Sequence, residues 1–148
     1  MTPDEARDAL GSIDQTKEKM AQRMRWPLWR HAAFGFVLAL LLAGIVLSTQ
    51  WQAVLYAIVI VMVFFIIRDD RKRHGMYVSG YQKGRTIWVL IGIAMGFMTA
   101  IFAMNSWVDD GIADPLFWLL TGAIFVFSTA MSYVWQFVYQ KDLRRGAA

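Results

Sequence analysis

The chain has 148 residues and no cysteine, an absence that excludes disulfides, thiol nucleophiles and cysteinyl metal or cluster sites together. A second absence concerns charge. Four apolar stretches, residues 31–47, 53–67, 87–104 and 115–139, contain no Asp, Glu, Lys or Arg. A proton-coupled exporter needs a buried carboxylate to exchange protons against substrate, so the sequence argues against that class of pump. A third absence gives direction: no Lys or Arg occurs in the connections at residues 48–52 and 105–114.

All fifteen basic residues lie elsewhere, and on one side of the membrane that the four stretches would build. The N-terminal arm carries Arg7, Lys17, Lys19, Arg23, Arg25 and Arg30. The central connection, residues 68–86, carries Arg68, Arg71, Lys72, Arg73, Lys83 and Arg85, and the tail, residues 140–148, carries Lys141, Arg144 and Arg145. Basic residues flanking spans are retained on the cytoplasmic side, so this asymmetry predicts a four-span, all-α protein of the inner (cytoplasmic) membrane with both termini inside. A hydrophobic fraction of 57% with 15% aromatics, well above the soluble average, fits that class. The first apolar run begins only after about thirty residues and follows a charged arm, unlike a signal peptide, so the N-terminus is expected to be retained.

The net charge of +4 is divided among three juxtamembrane segments and lines no recognition element. Anionic lipid headgroups are therefore the expected partner, and nucleic acid is not.

The arm opens with Thr2, Pro3 and Glu5 in the order of a capping box, and Ala6, Leu10, Ile13, Met20 and Met24 recur at helical spacing with Lys17 interrupting. Residues 3–25 are thus expected to form a cytoplasmic amphipathic helix on the inner leaflet, with a partner seam as the other use of the same stripe. The first two stretches cannot be one helix, since roughly 54 Å at 1.5 Å per residue far exceeds a hydrocarbon core of about 30 Å. They are expected to form one antiparallel hairpin, and the last two stretches a second. Beyond the second span, Asp69 and Asp70 stand four residues before Arg73 and His74, which predicts a helix continuing past the membrane with those pairs on its surface. Thr86 is placed to cap the third span, and Asp114 followed by Pro115 to start the fourth. Tryptophans agree with this layout: Trp26, Trp29, Trp88 and Trp135 fall at the inner boundary, and Trp51, Trp107 and Trp118 at the outer one.

Small residues locate the expected helix contacts. Gly92 and Gly96 form a GxxxG pattern, and Ser128 and Ser132 lie four apart, which lets backbones approach and hydroxyls bond across the contact. Packing within the chain is the preferred reading and an oligomer interface the sharper one. The segment from Gly80 to Thr86 reads first as a flexible positive-inside turn, and its sharper reading is a phosphate-holding turn, with Arg23, Arg25, Arg73, Lys83 and Arg85 as headgroup contacts. Asp109, Asp110 and Asp114 lack the alternation of a calcium loop, and His31 and His74 read as boundary residues without ligand partners. No catalytic, cofactor or metal set can be assembled along the chain.

The stretch from Arg23 to His31 leading into a span with Gly35, with the segment from Tyr77 to Tyr81 and then Gly84 and Arg85 before the third span, resembles the layout of small uncharacterised bacterial four-span membrane proteins. That resemblance implies no activity and supplies no site residue. The expected function is a non-enzymatic accessory or scaffold subunit, assembling with itself or with a membrane-protein partner. The alternative is an oligomeric transporter or channel for a lipid-like or hydrophobic small molecule.

Overall fold

The computed structural model describes residues 2, 11–12, 15, 26–74 and 84–145, with the side chains of 73–74 and 143–145 left aside. The arm helix expected over residues 3–25 falls outside this description except at positions 11, 12 and 15, which are helical. Among the described residues there are four α-helices and no strand: α1 (Leu28–Gly44), α2 (Thr49–His74), α3 (Thr86–Trp107) and α4 (Pro115–Arg145), with a short 3-10 turn at Gly111–Ala113 before α4.

Three of these helices, α2, α3 and α4, are long and apolar enough to cross a membrane. The fourth, α1, is apolar but has only 17 residues, about 25 Å of helix against a hydrocarbon core of about 30 Å. Its boundaries differ from the expected 31–47. Pro27, extended at φ −67° and ψ 153°, occupies the N-cap position, so the helix begins one turn early. At the other end the chain tightens into i→i+3 bonds, with Ile45, Val46 and Leu47 donating to Leu42, Ala43 and Gly44. Only four residues then separate α1 from α2.

The shortest helix is the central one. It packs most extensively on α4, next on α2, and touches α3, while α3 packs mainly on α4. Lipid tails are as apolar as leucine, so these contacts depend on close approach more than on escape from water. Glycine supplies that approach where it matters most. A Cβ on Gly35 would stand 2.6 Å from the Phe125 carbonyl oxygen and run into Thr129, whose hydroxyl bonds back to that same carbonyl at 2.7 Å. On α3, Gly96 lies against the Phe127 ring of α4.

Two apolar clusters fill the bundle. At one end Ala39, Leu42 and Ala43 meet Met104, Phe117 and Ile124. At the other, Val89 and Ile93 of α3 meet Trp135 and Tyr139 of α4, with Phe34 and Leu38 of α1 against them. Helix α2 stays outside both, and only 6% of its most apolar 18-residue stretch is buried, against 22% in α3 and in α4.

The helix ends carry their own capping. Asp114 accepts the Leu116 N–H at 2.8 Å, closing the first turn of α4 with Pro115 at its first position. Thr86 does not cap α3 as expected: it is the first helical residue and buried, and Arg85 holds the N-cap position without a side-chain bond. The backbone N–H of Arg85 donates instead to the carboxylate of Asp142, 2.9 Å away in the last turns of α4. A carboxylate at a helix N-terminus satisfies an orphan donor and complements the macrodipole.

Candidate functional site

The starts of α1 and α3 and the ends of α2 and α4 meet at one end of the bundle, where most of the buried polar side chains gather. Arg30 and His31 are consecutive in the first turn of α1, so their side chains diverge by about 100° around the helix. Arg30 reaches α2 and His31 reaches α4.

Asp70 receives Arg30 in a bidentate contact, with Nε donating at 2.8 and 3.1 Å and Nη2 at 2.6 Å. The side chains are 13% and 7% accessible, so this is a buried ion pair. The indole of Trp26 lies beneath the guanidinium, 3.7 Å from ring centroid to Cζ, which fixes its plane by cation–π contact. Trp26 in turn stacks on Trp135 at 5.2 Å and 4°, and Trp135 on Tyr139 at 5.0 Å and 14°.

On the other side, the His31 ring is almost wholly buried, with 1% accessibility. Its Nδ1 lies 2.9 Å from Ser132 Oγ and its Nε2 lies 2.9 Å from Gln136 Oε1. The same Gln136 oxygen accepts the backbone N–H of Trp26 at 3.1 Å. Because a backbone N–H only donates, that contact identifies the Gln136 atom as an acceptor, so Nε2–H donates to it; in a neutral ring Nδ1 then accepts the Ser132 hydroxyl proton. The network is complete with a neutral imidazole.

These three side chains reproduce the order of nucleophile, base and orienting amide that the sequence did not assemble. Acyl transfer would further need a pair of unengaged oxyanion donors beside Ser132. That residue lies within α4, where backbone N–H groups are used by the helix ladder. The arrangement acts as a polar clasp between α1 and α4.

Beside the clasp is a cleft of about 260 Å³. Val63, Ile66 and Ile67 of α2 form one wall and Leu90 and Ile93 of α3 the other, with Phe34 and Val37 of α1 and Trp135 of α4 beneath them. Arg30, Asp70 and Ser132 provide its polar lining. The cleft exists because α2 and α3 both rest on α1 while making little contact with each other.

The residues expected to matter are distributed differently. Arg23, Arg25 and Lys83 lie outside the described residues, the side chain of Arg73 likewise, and Arg85 is exposed with its backbone tied to Asp142. Gly92 and Gly96 both face α4, the first against the flexible end of Met131 and the second against Phe127. Ser132 bonds across to α1, whereas Ser128 is fully buried with no hydrogen-bond partner for its hydroxyl among the described residues. Asp70 turns inward to Arg30, and the side chain of His74, its expected surface partner, lies outside the described residues. His31, expected without ligand partners, is buried at the start of α1 and hydrogen-bonded to Ser132 and Gln136. Of the seven expected boundary tryptophans, Trp29, Trp51, Trp88, Trp107 and Trp118 are exposed, but Trp135 is buried.

A signal for the clasp was present. Ser128, Ser132 and Gln136 recur at four-residue intervals along one face of an otherwise apolar helix. Such a polar stripe calls for partners on the facing helix, and His31 is the residue available. Comparison with protein-family models, curated proteins and solved structures finds no match to the chain.

Proposed function

We propose that the chain is a non-enzymatic subunit of the inner membrane that works by assembly, joining copies of itself or a larger membrane complex. Four spans cross in two antiparallel hairpins, α1 with α2 and α3 with α4. Both termini and the end bearing the Arg30–Asp70 pair face the cytoplasm, where the basic segments hold anionic lipid. The supporting observation is an exposed apolar stripe on α2, whose first half borders a groove against Phe36 and Leu40 of α1. Trp51, Val54, Ile58, Val61 and Phe65 recur at alternating three- and four-residue steps and all are exposed, the spacing of a helix-packing seam. Native mass spectrometry after extraction in mild detergent tests this reading: a defined multimer or a stoichiometric membrane-protein partner is expected, and a lone monomer overturns it.

Orientation is tested separately by an impermeant thiol reagent on intact cells. Ser48→Cys is expected to react and Ser79→Cys to stay silent; the reverse pattern inverts the topology. The alternative reading, an oligomeric carrier or channel for a lipid-like or hydrophobic molecule, draws support from the cleft between α2 and α3. Flux of apolar solutes in reconstituted vesicles checks it.

A further inference from the structure

We propose that the cleft between α2 and α3 binds one acyl chain of a net-neutral, zwitterionic phospholipid, with the headgroup phosphate on Arg30 and its ammonium on Asp70. This goes beyond the assembly role above and rests only on α2 and α3 being lipid-facing spans.

Size selects a single chain. At about 30 Å³ for each water-sized group, a volume of about 260 Å³ accommodates a run of roughly nine such groups. That lies just below the range of about 300–1,000 Å³ typical of sites enclosing a whole drug-sized ligand. A segment of one chain fits while the rest of the molecule stays in the bilayer.

Charge selects the headgroup. Asp70 engages the Nε and Nη2 edge of the Arg30 guanidinium, so the Nη1 edge lies outside that contact. The carboxylate likewise keeps acceptor capacity, since two oxygens offer about four lone-pair sites. The pair carries no net charge and sits at 13% and 7% accessibility, where solvent screens little. An anionic headgroup would set a second negative charge beside Asp70, and a purely cationic one a second positive charge beside Arg30. A headgroup with both charges adds one partner to each. Burying the chain against Val63, Leu90 and Phe34 gains little over bulk lipid, because the tails it leaves are equally apolar. Selectivity therefore resides in the polar end.

The test uses the full chain, delipidated in detergent and offered equal amounts of phosphatidylethanolamine, phosphatidylglycerol and diacylglycerol with identical acyl chains. Native mass spectrometry is expected to find one phosphatidylethanolamine per chain, preferred about tenfold over either competitor, a difference of about 1.4 kcal/mol. Replacing the pair by Arg30→Gln with Asp70→Asn should abolish the preference. Val63→Trp, filling the cleft from α2, should abolish retention while helix content is unchanged; Leu90→Trp fills it from α3 should the first variant misfold. Equal retention of the three lipids, preference for phosphatidylglycerol, or retention that survives both fillings overturns the proposal. The competition on the unaltered protein needs no variant, and the oligomeric state in the same spectra reports separately on assembly.

Discussion

Along α1, one side meets α4 in the more extensive contact, which runs the length of the helix, and the other meets α2. Toward α4 the series passes from Trp26 and His31 through Gly35 to Ala39 and Leu42, alternating hydrogen bonds, backbone contact and apolar packing. Toward α2 the prominent contacts are Arg30 with Asp70 at one end and Gly44 against Tyr56 at the other. Among the described residues of α2, only Val59 and Asp70 are buried. The difference separates a seam whose strength is distributed from one that depends on single residues. Loss of one contact should erode the first and detach the second.

The largest effect is therefore expected on the α2 side. Asp70→Asn leaves Arg30 buried without its counter-charge and should cost about 3–5 kcal/mol, measured as unfolding free energy in bicelles. Thiol labelling should show α2 separating while α1 and α4 stay together; simultaneous loss of both seams would collapse the distinction. Replacing both partners by apolar residues, Arg30→Met with Asp70→Leu, should recover most of that loss, because no unpaired charge remains.

Next comes the α4 side, where Gly35→Leu forces side-chain atoms against the Phe125 carbonyl and Thr129 and should cost about 1–3 kcal/mol. Gln136→Leu strands the N–H groups of Trp26 and His31, and about 1–2 kcal/mol is expected, since hydrogen bonds between helices in membranes are modest. The smallest change is Gly92→Ala, which meets only the flexible Met131 terminus at 3.1 Å and should stay within about 0.5 kcal/mol. A cost as large as that of Gly35→Leu would show that the contact between α3 and α4 is as rigid as that between α1 and α4.

Much of this architecture was legible in the amino-acid order. Uncharged runs of near-span length gave the helices, and the Asp114–Pro115 pair gave the start of α4, because both signals are local. The polar site where the starts of α1 and α3 meet the ends of α2 and α4 was not. Asp70 stands among Arg68, Arg71, Lys72 and Arg73, a context that reads as a solvated helix surface. Its inward orientation follows from its angular position on α2 relative to a helix some forty residues earlier, which spacing along one element does not reveal. His31 was hidden for a related reason: with its nearest ionisable neighbour at Arg30, nothing close in the chain marks it as a hydrogen-bond partner for residues 101 and 105 positions away. Thr86 lies one position past the N-cap that the sequence assigned to it: Arg85 holds that place, and its backbone N–H meets the Asp142 carboxylate.

That last contact also bears on biogenesis. The group satisfying the entrance of α3 lies 57 residues downstream, at the exit of α4. A nascent chain that has made α3 but not α4 consequently has an unfinished amide at the start of α3, and maturation of the C-terminal half becomes a joint event completed only when translation has delivered Asp142.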